Sequence, residues 1–191
     1  RLRQKIRSDI FSSSDVKSLL SPITDASVHN GISRAIKSKD IVQLRRGLYL
    51  FGKDLRRSSV SKFMIANKLY GPSYVSFESA LSIHGLIPEA VYTTTSACYQ
   101  RKKKSFKNDL GVFSFNFIPC EDFFLGVTYL KSSSSSLVAS PLRALFDYIY
   151  LYKKTYQTFD DVISDLRIDK DKIFLILSFL QSNLIMGIPY Q

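Results

Sequence analysis

The hydrophobic pattern of the first fifty residues is short and strongly punctuated. Residues 1–8 (RLRQKIRS) are basic and read as the tail of a first helix, and Asp9-Ile10-Phe11 reads as a very short strand. Ser12 and Asp15, spaced as a capping box, precede VKSLL, which predicts a short second helix ending by Ser21-Pro22. Thr24 is a suitable N-cap for a third helix over 25–38. At about 100° per residue, Val28, Ile32, Ala35 and Ile36 share one face of it. Asn30, Ser33, Arg34 and Lys37 fall opposite, with Ser27 at the flank. Gly31, near the middle, costs about 1 kcal/mol against Ala in a helix and is read as a point of close helix packing. In IVQLRRGLYLFG, the apolar residues Ile41, Leu44, Leu48 and Leu50 are strand-like, and Arg45-Arg46-Gly47 is a turn signal. A β-hairpin is therefore predicted directly after the third helix.

Lys53 to Arg57 (KDLRR) is a charged stretch, and a domain boundary is expected near residues 53–58. Residues 59–70 repeat apolar positions at helical spacing (Phe63, Ala66, Leu69, Tyr70) and stop at Gly71-Pro72. Tyr74 to Phe77 reads as a strand running into a helix capped by Ser76 and closed by Gly85. VYTTTSACYQ alternates and reads as a strand, followed by the basic loop Arg101-Lys102-Lys103-Lys104. VFSFNFIP alternates most cleanly, with Phe113, Phe115 and Phe117 on one face, and FFLGVTYLK is a further strand candidate. Ser132 to Ser136 is a low-complexity turn. Ser140-Pro141 is an N-cap with Pro at the first helical position, opening PLRALFDYIYLYK. TFDDVISDLR and KDKIFLILSFLQ predict two more helices. The expected architecture is α+β: a small N-terminal domain over 1–55, then a domain over 58–191 with a mainly antiparallel sheet and C-terminal helices.

Charge changes this picture most. The net charge is +11, and residues 1–57 hold 13 Lys/Arg against 5 acids, a local +8. Residues 58–131 carry +3, and residues 132–191 carry none. Such asymmetry points to a polyanionic partner at the N-terminal end, most simply double-stranded DNA. Three helices followed by a hairpin is the order of a winged helix-turn-helix, whose third helix is the natural reader of the major groove. Arg34 suits a bidentate contact to guanine, and Asn30 one to adenine. Ser27, Ser33 and Lys37 suit phosphate contacts, and Arg45 and Arg46 at the hairpin tip suit the backbone or the minor groove. The plain alternatives are a solvated helix face and a charged turn guarding a sheet edge. The loop Arg101 to Lys104, flanked by Tyr99 and Phe106, is a second basic patch for DNA beyond the primary contact, for an acidic protein or RNA, or for solvent alone.

Catalytic chemistry is hard to assemble from this chain. His29 and His84 are the two histidines, and no Ser/His/Asp or Cys/His arrangement forms around them. Gly-rich phosphate loops do not occur, and Glu78, Glu89, Asp109, Glu121 and Asp122 are scattered without a nuclease Glu-x-Lys triplet. Cys98 and Cys120 lack metal-ligand spacing, although one disulfide between them is possible. The reading is of a binding protein with no catalytic residues, metal, cofactor or small-molecule substrate. No apolar run reaches the roughly 18 residues of a membrane span, and IFLILSFL at 173–180 is too short. No signal peptide opens the sequence as given, although it begins at Arg1 without Met, and the simplest expectation is a cytoplasmic protein.

Four stretches resemble the AbiEi family of antitoxins and transcriptional regulators of type IV toxin–antitoxin (abortive infection) systems. They are QLRRGLYLFG (43–52), ANKLYGPSYVSFESALSIHGLIP (66–88), LGVFSFNFIP (110–119) and SPLRALFDYIYL (140–151). YGPSYVSFESAL following a wing is the most specific of these. The resemblance implies a winged-helix repressor of its own operon, acting at inverted repeats. It also implies a C-terminal domain that takes part in neutralising a nucleotidyltransferase-like toxin. The third-helix polar residues and Arg45-Arg46 fall where the family binds DNA. The family's Pro-Glu-Lys helix start is here Pro141-Leu142-Arg143: the acid is replaced, and the basic residue remains as Arg143. Arg143 itself reads as a surface charge near a helix start, where the helix dipole does not favour it. A protein-interaction module whose N-terminal unit does not bind DNA is the alternative.

Overall fold

The structure is a computed structural model and describes residues 2–130, 135–175 and 178. The first fifty residues form α1 (Leu2–Lys5), β1 (Ile10–Ser12), α2 (Ser13–Leu20), α3 (Asp25–Lys37), β2 (Ile41–Arg45) and β3 (Leu48–Phe51). Local chemistry sets the helix starts. The Ser12 hydroxyl accepts from the Asp15 amide while the Asp15 carboxylate accepts from the Ser12 amide, and Thr24 accepts from the Ser27 amide. The three strands form an antiparallel sheet in the order β1-β3-β2.

β1 and β3 are buried on both faces, which explains their apolar sequences, while β2 at the edge leaves Gln43 and Arg45 exposed. Phe11, Ile41, Tyr49 and Phe51 face a small core completed by Ile6, Val16, Val28 and Ile32. Ile10, Leu44 and Leu50 point the other way, into the larger core of the rest of the chain. Strand alternation thus splits the same three strands between two cores. Gly31 corrects an expectation: a Cβ there would meet nothing within 4 Å, so close helix packing does not explain it. Gly52 is the glycine that packing requires, because a Cβ would lie 2.3 Å from the Lys39 carbonyl oxygen.

After Phe51 a single 3-10 turn, Lys53–Leu55, leads into the second unit. The connection is tied back to the N-terminal unit. The buried Asp9 carboxylate accepts from the Arg57 amide (3.0 Å), from the Ser58 amide (3.1 Å) and hydroxyl (2.9 Å), and from Arg3 (2.7 Å).

The second unit comprises α4 (Lys62–Leu69), β4 (Ser73–Val75), α5 (Phe77–Ile83), β5 (Thr93–Cys98), β6 (Lys104–Asn108), β7 (Gly111–Phe117), β8 (Val127–Leu130), β9 (Ser136–Ala139), α6 (Pro141–Tyr152) and α7 (Phe159–Leu166). A further helix begins at 170. The six strands form one sheet in the order β6-β7-β5-β4-β9-β8. The fold is α+β, but this sheet is mixed rather than mainly antiparallel, since β5 pairs parallel with β7 and β4 parallel with β9. The cause lies in the insertion order: β6 runs back along the outside of β7, so β7 enters beside β5 in the same direction. Two strands, β6 and β9, were not expected. FFLG at 123–126 is a turn rather than part of a strand, closed by the Leu125 amide on Asp122 and the Val127 amide on Phe124. Phe113 and Phe115 are fully buried as the alternation predicts, whereas Phe117 at the strand end is half-buried. The serines at 132–134 and the end of the last predicted helix lie outside the described residues. Among the described residues no helix is long and apolar enough to cross a membrane.

Candidate nucleic-acid interface

The helix α3 turns Val28 and Ile32 into the small core and leaves its other face uncovered. Ser27, Asn30, Arg34 and Lys37 are exposed on that face, and Ser33 is half-buried at its margin. These side chains are lightly committed within the chain. Arg34 Nε donates to the Asn30 carbonyl at 3.4 Å, and the Ser27 hydroxyl accepts from Thr24 at 2.9 Å. Among the described residues, Asn30 and Lys37 have no side-chain partner in the same helix or beyond it. His29 is exposed on the same helix.

The β2–β3 turn is built as the sequence predicts, with Gly47 at φ +77°. Its tip, however, is not free. Arg45 Nε donates to the Leu69 carbonyl, the last of α4, at 2.9 Å, and the Ser13 amide donates to the Gly47 carbonyl at 3.1 Å. A cation at a helix C-terminus satisfies an orphan carbonyl and opposes the negative end of the helix dipole. Arg46 is exposed and uses only its backbone carbonyl, which accepts from Arg45 Nη1. Both hairpin arginines are exposed, but Arg45 is tied to the chain by its guanidinium whereas, among the described residues, the Arg46 side chain is not.

Beside β2 lies a groove of about 520 Å³ whose lining includes Ile36, Lys39, Arg45, Lys107 and Asp109. The β6–β7 turn forms its far wall and is pinned there by Asn108 Nδ2, which donates to the Leu44 carbonyl at 3.0 Å. The residues Arg101 to Lys104 are all exposed and run into β6.

Sequence reasoning misplaced Arg143. Its side chain is 11% exposed and is no surface charge. Arg143 Nε donates to Asp147 (2.9 Å), and its other nitrogens donate to the Tyr74 hydroxyl and the Leu125 carbonyl (2.9 Å). The same carboxylate accepts from Ser76 (2.7 Å) and Tyr74 (2.9 Å). Ser76 therefore starts α5 without capping it through its side chain. Burial pushes both the Asp147 carboxyl and the Tyr74 hydroxyl up from their ordinary values. This network locks α6 to β4 and to the turn before β8. The i,i+4 spacing of Arg143 and Asp147 on the predicted helix signals their pairing, but no spacing signals the partners Tyr74, Ser76 and Leu125.

The cysteines are both free thiols rather than a disulfide, and burial pushes Cys98 up to about 11. His84 Nε2 donates to the Ala139 carbonyl at 2.8 Å, a structural bond. A second cavity of about 530 Å³ lies between α5, α6 and α7, lined by Glu78, Tyr148, Tyr152 and Asp165 among others. Tyr152 donates to Glu78 there, a pairing that was not legible in the sequence. Among the described residues, no group of three or more His, Cys, Asp or Glu is placed to hold a metal ion. Compared with known proteins, the chain matches no family model and no curated protein sequence.

Proposed function

We propose that this protein is a DNA-binding transcriptional autorepressor and antitoxin of a type IV toxin–antitoxin system, of the AbiEi kind. It reads operator DNA with the helix over 25–38, and the 45–47 wing contributes chiefly through Arg46. The observation that carries the DNA reading is the uncovered α3 face, where Asn30, Arg34 and Lys37 stand exposed with their side-chain donors uncommitted or held only weakly. Two features support it. The order α1-β1-α2-α3-β2-β3 with sheet order β1-β3-β2 is the arrangement a winged helix requires. The local charge of +8 over residues 1–57 supplies phosphate attraction. The antitoxin role rests on the sequence resemblance, with a nucleotidyltransferase-like toxin as the partner.

Gel shifts on the DNA upstream of the protein's own gene test this. Arg34→Ala should reduce discrimination at one base pair by about 1–3 kcal/mol while leaving non-specific binding in place. Equal loss on every sequence would remove Arg34 from base reading. Co-expression with the neighbouring toxin tests the second activity, and growth arrest despite the intact protein would sink it.

One observation favours a second reading, a protein-interaction module. The hairpin tip docks on α4 through Arg45, which leaves less of the wing to reach a duplex. Failure of the purified protein to retard its own promoter at physiological salt would favour this module.

A further inference from the structure

We propose that β6 and the loop before it form a second strip of the DNA-binding surface. This strip holds the sugar-phosphate backbone beyond the segment that α3 reads. The inference rests on the DNA-binding reading above and adds a contact from the second unit.

Placement supports this first. β6 is the outer strand of the six-stranded sheet, and among the described residues it pairs only with β7. The bond from Asn108 to the Leu44 carbonyl fixes the β6–β7 turn against β2, the strand that follows α3. Lys39, just past α3, and Lys107 of β6 line the same groove, so the two basic segments face one space. A polyanion lying along α3 and leaving past its C-terminal end meets Lys37, then Lys39, then Lys107.

Charge supports it independently. Arg101, Lys102, Lys103, Lys104 and Lys107 are exposed, and among the described residues none of them forms an ion pair. Among the described residues, the Lys104 ammonium has only the Phe106 ring, 6.0 Å away. Like charges crowded on seven residues repel one another; the phosphates of a duplex neutralise them, and the counterions released from the duplex drive binding. Lysines on an edge strand also discourage edge-to-edge pairing, which accounts for Lys104 and Lys107 but not for the three cations in the loop. A duplex suits the strip better than an acidic protein because the strip shares a groove with the end of α3.

The test uses the full chain and labelled mixed-sequence duplexes of about one helical turn (~10 base pairs) and about three turns (~30 base pairs). Fluorescence anisotropy across a salt series gives the slope of log affinity against log salt. At ~0.9 per lost phosphate contact, Lys104→Gln with Lys107→Gln should lower the slope on the long duplex by about 2, and Arg101→Gln with Lys102→Gln and Lys103→Gln by about 3. Both variants should weaken long-duplex binding about tenfold or more at moderate salt and leave the short duplex nearly unchanged. Lys104→Arg with Lys107→Arg should keep the wild-type slope, which separates lost charge from a disturbed edge. Unchanged slopes in both Gln variants would overturn the proposal while the DNA reading stands. The proposal also falls if poly-glutamate displaces the long duplex as well as unlabelled duplex does, which would assign the strip to an acidic protein. Wild-type protein that binds neither duplex at low salt would overturn the DNA reading and this proposal together.

Discussion

Arg45 Nε donates to the Leu69 carbonyl at 2.9 Å, joining the tip of the N-terminal hairpin to the last turn of α4. The two arginines of the turn therefore carry different tasks. Arg46→Ala should weaken binding about equally on all DNA sequences and lower the salt slope by ~0.9, with stability unchanged. Arg45→Ala should instead cost about 1 kcal/mol of stability by removing a charged donor from a helix-end carbonyl. Urea melts beside a salt series separate the two. Equal effects of both substitutions on DNA binding, with no change in stability, would contradict the division.

Asp9 makes stability depend on acid pH. Burial pushes its carboxyl up, but the amides of Arg57 and Ser58, the Ser58 hydroxyl and the Arg3 charge more than offset this and hold it below the usual carboxylate range. A depressed folded pKa stabilises the protein above the unfolded value of about 3.9, and that share is lost as pH falls through the folded pKa. Asp9→Asn should cost about 1–3 kcal/mol at neutral pH and flatten the loss below about pH 4. Urea melts at neutral and acid pH check it. An unchanged midpoint at neutral pH would show that the junction does not depend on this carboxylate.

The pair Arg143–Asp147 is buried, with side chains 11% and 3% exposed. Arg143→Ala leaves Asp147 charged without its cation and should cost about 3–5 kcal/mol. Joining it with Asp147→Leu should recover part of that loss, because the stranded charge goes too. Strict additivity of the two single losses in chemical denaturation would contradict this.

Gly31 and Gly52 should respond oppositely to alanine. Gly31 has open space where a Cβ would stand, so Gly31→Ala should stabilise α3 by up to about 1 kcal/mol. Gly52→Ala would drive a methyl to 2.3 Å from the Lys39 carbonyl oxygen and should destabilise by more than about 1 kcal/mol. Thermal melts of the two variants check the pair, and shifts of the same sign would contradict it.

What the sequence made legible was local. The caps at Ser12, Thr24 and Ser140, the apolar face of α3 and the turn at Gly47 each depend on neighbours a few residues apart, and each stands as expected. The strand β6 was invisible because KSFKN carries two exposed lysines and one half-buried phenylalanine, a poor alternation for an edge strand. The strand β9 was hidden because its first residue, Ser136, ends the serine run read as a turn. The tie of Arg45 to Leu69 and that of Arg143 to Tyr74 span 24 and 69 residues, distances over which spacing carries no signal. The same holds for Asp9, which meets Ser58 across the chain.

Sequence-specific DNA reading is tested most directly by fluorescence anisotropy of the full wild-type chain on two duplexes. One duplex is the DNA upstream of its own gene, and the other is a scrambled sequence of equal length, both at physiological salt. An operator-reading α3 predicts tighter binding to the upstream duplex by a factor of about 10³ or more, with affinity falling steeply as salt rises. Equal affinity for the two duplexes, or no binding to either, would contradict it.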